Sequence, residues 1–199
     1  MSRAEADTPT DRDLETAARR ERMVTAAVEL AVDGGYEAVQ MRDVAARAEV
    51  ALGTLYRHYP SKDHLLLAAL REQASSLHER IAQRPPDGAD AATRTADVLR
   101  RASRALARRP ELTAALVTAL TAPEPDTAEA KHQVEIVLHG IITDAIAGSV
   151  PDADGVVRTL GYVWLAVLSA WVGGTLDDDS MVHDLEVAAQ LMLPPVSAG

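Results

Sequence analysis

Residues 41–62 read MRDVAARAEVALGTLYRHYPSK, and their spacing decides the fold of the N-terminal part. Met41, Val44, Ala45 and Ala48 recur at helical intervals, and so do Leu52, Leu55 and Tyr59, after which Pro60 stops the run. The link between them, Ala48-Glu49-Val50-Ala51, is only a tight turn long. Two short helices joined this way have the layout of a helix-turn-helix, whose second helix enters the major groove of DNA. The physical test is whether that second helix carries a face the core does not use. With Leu52, Leu55 and Tyr59 turned inward, the opposite side presents Gly53, Thr54, Tyr56, Arg57 and His58.

Those groups suit DNA. Arg57 can donate two hydrogen bonds to a guanine edge, Thr54 can bond a phosphate or a base, and Tyr56 offers a hydroxyl to the backbone. Gly53 lacks a side chain and so permits close approach of the helix to the groove. Lys62 stands in the first turn of the next helix, beside free N–H groups that favour a phosphate. Arg42 opens the first helix of the pair within reach of a phosphate or base edge. The bland alternative for each residue alone is a solvated surface side chain; the conjunction carries the reading.

Outward from this motif the chain reads as all-α. Ala, Leu and Val dominate its apolar residues, Phe is absent, and no stretch alternates in the manner of a strand. Met23, Ala26, Ala27, Leu30 and Ala31 place a first helix over about 14–33, stopped by Gly34-Gly35. Ser61 caps a long fourth helix through Ile81, and further helices are expected over about 89–108, from Pro110, from Val134 to Gly148, over 153–173 and over 180–193, the last ended by Pro194-Pro195. The expected organisation is a disordered leader at 1–13, a helix-turn-helix domain at 14–62 and an effector-binding and dimerisation domain at 63–199, with about nine helices in all.

Charge agrees with selective rather than general binding of nucleic acid. The chain carries a formal net charge of −10, yet Arg42, Arg47, Arg57 and Lys62 outnumber Asp43 and Glu49 around the motif. There is no cysteine, so disulfides and Cys-based zinc sites are excluded, in keeping with a cytoplasmic protein. None of the six His falls in a metalloprotease spacing and no Gly-rich phosphate loop occurs, so an α-helical enzyme is a poor alternative and no cofactor is expected. Residues 159–176 lack charge, but Gly, Ser and Thr dilute them and no basic flank anchors them. They read as a buried or interface helix rather than a membrane span.

Residues 22–70, and above all GTLYRHYPSK at 53–62, closely resemble the DNA-binding domain of the TetR family. The resemblance implies a homodimeric repressor on a palindromic double-stranded operator, with DNA contacts at Arg42, Thr54, Tyr56, Arg57, His58 and Lys62. Ala51 departs from the pattern where the family often has a capping Ser or Thr, and Leu52 where many members are polar. A narrower resemblance, over 36–66 and more weakly at 109–113 and 163–171, is to the cholesterol-catabolism (KstR-like) branch, whose inducer is a CoA thioester of a sterol catabolite.

Helices four to seven are expected to enclose a small hydrophobic effector, with Leu99, Leu116, Leu120, Val137, Ile141, Trp164 and Leu168 as candidate walls. Ordinary core packing is the competing reading. Arg100, Arg101, Arg104, Arg108 and Arg109 form a basic cluster, of which Arg104 and Arg108 are expected to meet the phosphates of a CoA ester. For the dimer, the expected interface is Tyr162, Ala166, Ala170 and Gly173 on the eighth helix with Met181, Leu185, Ala188 and Met192 on the ninth. A ligand-independent DNA-binding protein is the alternative function.

Overall fold

The computed structural model describes residues 10–146 and 150–193. Among the described residues there are nine α-helices and no strand. The inferred helix ends at Gly148 and Pro194-Pro195, and most of the expected leader (residues 1–9), lie outside the described residues.

The first helix, α1 (Asp11–Ala38), begins earlier than apolar spacing suggests. Thr10 and Asp13 form a reciprocal capping box: the Thr10 hydroxyl accepts from the Asp13 N–H at 3.3 Å, and the Asp13 carboxylate accepts from the Thr10 N–H at 3.1 Å. Residues 11–13, assigned above to the leader, are therefore helical. The glycine pair, expected to end the helix, instead kinks it, and helical backbone resumes through Ala38. Gly35 takes φ 67°, and a side chain there would meet the Glu111 carboxylate at 3.2 Å.

The motif helices are α2 (Met41–Arg47) and α3 (Leu52–His58), joined through Glu49 at φ 55°. Ala51 leaves α3 without a side-chain cap, whereas the Ser61 hydroxyl accepts from the His64 N–H to start α4 (Lys62–Gln83). Then follow α5 (Ala91–Ala107), α6 (Pro110–Thr121), a 3₁₀ turn at Pro125–Thr127, α7 (Ala128–Ile146), α8 (Ala153–Val172) and α9 (Asp178–Met192). Asp90, Asp152 and Asp177 cap α5, α8 and α9 with their carboxylates.

The N-terminal helices α1–α3 and the larger half share one core. Met23, Val24 and Ala27 of α1, Val44 of α2, Leu55 of α3 and Leu65–Leu67 of α4 pack with Leu112, Ala115, Leu116 and Ala119 of α6 and with Val134 of α7. A second core joins α5, α8 and α9 through Leu99, Ala102, Trp164, Leu168, Met181 and Leu185. Within it the Trp164 indole N–H donates to the Ser103 hydroxyl at 3.2 Å, so the buried ring nitrogen is satisfied. By length and composition α8 could cross a membrane, but here Val157, Leu160, Trp164 and Leu168 are packed against the other helices.

Candidate nucleic-acid interface and ligand cavity

Helix α3 is held from beneath and open above. Leu55 is fully buried, and Leu52 and Tyr59 pack on the same core. On the outer side Tyr56 is 47% exposed, Arg57 is exposed, and a Cβ built on Gly53 would meet nothing within 4 Å. Thr54 is half-buried at the edge of this face, and Arg42 is exposed in the first turn of α2. The expected face therefore exists as a surface, with two refinements.

The first concerns His58, which is half-buried rather than projecting freely. Its Nδ1 accepts from the Arg20 Nε–H at 3.4 Å. Burial, with the charges of Arg20, Arg57 and Arg19, pushes its pKa below the usual histidine range. Arg20 of α1 thus stands beside the reading helix; sequence reading missed it because nothing local links positions 20 and 58. The second concerns Lys62. Its ammonium lies 3.7 Å from the centre of the Tyr36 ring, 3.4 Å from the Tyr36 carbonyl and 3.8 Å from the Glu37 carboxylate. A phosphate arriving there would compete with Glu37. The Tyr36 hydroxyl donates to the buried Asp63 carboxylate at 2.7 Å, which fixes this corner of the head on α4.

A cavity of about 490 Å³ opens between α4, α5, α6, α7 and α8. Of the expected walls, Leu116, Leu120, Trp164 and Leu168 line it, together with Leu70, Val134 and Leu138. Leu99 does not; it belongs to the core of α5, α8 and α9 with Trp164 and Leu185. Ile141 and Val137 also turn away, Ile141 into a core with Ala74, Ile81 and Val98 and Val137 against it. Polar groups that the apolar pattern could not signal reach the cavity as well: Lys131, His132, Glu135, His139 and Arg158.

The arginine cluster lies elsewhere. Arg104 and Arg108 line a separate groove between α4 and α5 and are not among the residues that line the cavity. Arg100 and Arg101 are held by the buried Asp97, and Arg109 faces a different surface beside Arg47 and Val28.

The expected dimer stripe is also divided. Tyr162, Ala166 and Gly173 are exposed and Ala170 is half-buried. Met181 and Leu185 are not available to a partner, because both are fully buried inside their own subunit against α5 and α8. Ala188 and Met192 are half-buried against the start of α8. The outward apolar residues of α9 are instead Val187 and Leu191, the latter 77% exposed.

A helix-turn-helix whose reading face is open, continuous in its core with a larger all-helical half around a cavity, defines a DNA-binding transcription regulator with an attached regulatory domain. Residues 24–69 match the family described as bacterial regulatory proteins, tetR family, and residues 88–192 match the tetracyclin repressor-like C-terminal domain. The chain is 36% identical over 177 residues to the HTH-type transcriptional repressor KstR of Mycobacterium tuberculosis, covering 88% of this chain and 80% of that protein. A TetR transcriptional regulator from Rhodococcus sp. RHA1 superimposes with a TM-score of 0.84 at 31% identity, over 92% of this chain and 100% of that one. Thermus thermophilus FadR, a TetR-family repressor solved with lauroyl-CoA, shares the fold at a TM-score of 0.73 and 22% identity, over 87% of this chain and 92% of its own. The chain belongs to the TetR family of transcriptional regulators, and it resembles the KstR-type members through both halves.

Proposed function

We propose that this TetR-type transcriptional repressor occupies a two-fold symmetric operator as a homodimer in the cytoplasm. It leaves the operator when a hydrophobic ligand, a fatty-acyl or sterol-derived CoA thioester, fills the cavity. The observation that carries this reading is the double membership of Leu116 and Val134. Both belong to the cavity wall and to the core beneath α1–α4. A ligand that displaces either side chain disturbs the packing that orients α3. Close-packed cores transmit such shifts because they have little free volume to absorb them.

Size and lining support this ligand class, as does the lauroyl-CoA held by the FadR relative. The cavity falls in the range of small-molecule sites, and its aliphatic wall suits a chain or a fused-ring skeleton. Lys131, His132 and Arg158 suit the thioester end. Arg42, Gly53, Thr54, Tyr56, Arg57, His58 and Lys62 form the DNA side, with Arg20 behind His58. For the dimer, Tyr162 and Ala166 of α8 with Val187 and Leu191 of α9 present the exposed apolar face that a partner copy would cover.

The test is linkage measured from both ends. Operator affinity, read by anisotropy on a labelled promoter fragment, should fall when lauroyl-CoA or a sterol-CoA ester is added. Ester affinity should fall by the same factor when operator is present. Leu120→Trp, which fills the cavity, should bind operator but no longer respond to ester. An ester that saturates the protein while operator affinity stays unchanged would refute the mechanism.

A further inference from the structure

The groove that holds Arg104 and Arg108 is separate from the ligand cavity. It runs between the C-terminal part of α4 and α5, spans about 560 Å³, and gathers Arg80, Arg84, Arg104 and Arg108 around the apolar Leu77, Ile81 and Ala105; Asp87, paired with Arg101 at 3.3 Å, also lines it. Two further arginines form its back wall and are consumed by the fold. The buried Asp97 carboxylate holds both Arg100 and Arg101, Arg100 also reaches Glu186 at 3.3 Å, and Arg101 donates to the Arg84 carbonyl at 2.9 Å. The first four are different: all are exposed, and among the described residues no carboxylate stands at ion-pairing distance from them.

Arg80 and Arg104 stand in the last turns of α4 and α5, and Arg84 and Arg108 are the C-caps that follow, so the groove collects four guanidinium groups at two helix C-termini, where the helix dipole tolerates them. The chain has a net charge of −10, so it does not attract anions as a whole. The concentration of cation is local, concave and backed by apolar surface. Guanidinium groups match phosphate oxygens in paired hydrogen bonds, and an aliphatic floor takes a base or a short chain. The volume is that of a small-molecule site rather than of a macromolecular surface. Operator DNA does not reach it: from Lys62 to Arg80 the length of α4 alone puts about 27 Å between the reading end and the groove. It is also distinct from the cavity, with which it shares no lining residue; Leu106 of α5 faces the cavity, while Arg104, Ala105 and Arg108 face the groove.

We infer that this groove is a second small-molecule site, for an organic diphosphate whose phosphates sit on Arg80, Arg84, Arg104 and Arg108 and whose remainder lies over Leu77 and Ile81. The inference goes beyond the operator and cavity reading and does not depend on it. Two sources share the chemistry, a free nucleoside diphosphate and the diphosphate arm of CoA.

Calorimetric titration of the purified full-length chain without DNA tests it, with ADP and unacylated CoA as separate probes. Saturable binding, weaker at higher salt, is expected for at least one of them. Arg104→Gln/Arg108→Gln and Arg80→Gln/Arg84→Gln should each weaken it by at least about tenfold. Leu120→Trp should leave it unchanged, since it alters only the cavity. Binding of ADP identifies a free nucleotide, and binding of CoA alone identifies the cofactor arm; either supports the site. The inference falls if neither probe binds, if both double variants bind as the parent does, or if the variants instead lose affinity for operator DNA. Operator affinity measured on the same variants separates this outcome from any failure of the repressor reading, because the groove lies away from α3.

Discussion

At Gly53 the two demands on a reading helix pull apart. Glycine weakens a helix, and no neighbour in the fold requires its absence of side chain, since the position above it is open. Gly53→Ala should therefore stabilise the protein by about 0.5 kcal/mol while weakening operator binding by about tenfold. Thermal melts beside anisotropy titrations would show it; a variant that gains stability and keeps its affinity would mean that DNA does not approach this residue. His58 makes a prediction of opposite kind. Its folded pKa is depressed by burial and by Arg20, Arg57 and Arg19, so between that value and the unfolded value of about 6.5 the unfolded chain binds more protons. The stability His58 contributes is present above about pH 6.5 and is lost as pH falls toward its folded pKa. A bound phosphate would reverse the bias by favouring the imidazolium, so operator affinity should rise as pH is lowered. His58→Gln should flatten both profiles, and a parent whose affinity is independent of pH would place His58 outside the interface.

Single helices show which signals a sequence carries. The α2–α3 turn, the Ser61 cap and the Gly34-Gly35 break were all legible, because each depends on residues a few positions apart. The start of α1 was set too late because its first turn is polar and is held by the Thr10–Asp13 capping box rather than by apolar spacing. Helix α9 misled for another reason. Met181, Leu185, Ala188 and Met192 make a good helical stripe, but a stripe states that a face is buried without stating against what. Here it buries Met181 and Leu185 inside the subunit and leaves Val187 and Leu191 outside. Leu99, Val137 and Ile141 failed as cavity walls in the same way, because a pocket is a defect in packing and leaves no period in the sequence. Ala51 offers an element-scale test. It is the N-cap of α3, extended at φ −66° and ψ 139°, with no side chain to accept an N–H. Ala51→Ser should add that acceptor and stabilise the head by about 1 kcal/mol, visible as a higher urea midpoint; an unchanged midpoint would mean that water already satisfies the first turn.

At the scale of the whole molecule, two helices run between the reading head, the cavity and the outward apolar face. Helix α6 contributes Leu112, Ala115 and Ala119 to the core under the reading head and Leu120 to the cavity, with Leu116 shared by both. Helix α8 contributes Trp164 and Leu168 to the cavity and Ala166 to the outward apolar face, with Tyr162, 64% exposed, at their meeting edge. A partner copy seated on that face would therefore border the ligand, and dimer geometry, cavity occupancy and the spacing of the two reading heads would vary together. The outward side chains can be tested without touching the core. In Leu191→Lys/Tyr162→Lys, two exposed side chains gain charge where a partner would bury them, while Met181 and Leu185 still hold α9 in place. The double variant should melt as a folded monomer and should lose about a hundredfold or more in operator affinity, because each head then binds its half-site without the other's help. Sedimentation beside anisotropy decides the matter: a variant that stays dimeric with full affinity would require the two copies to meet through some face other than α8 and α9.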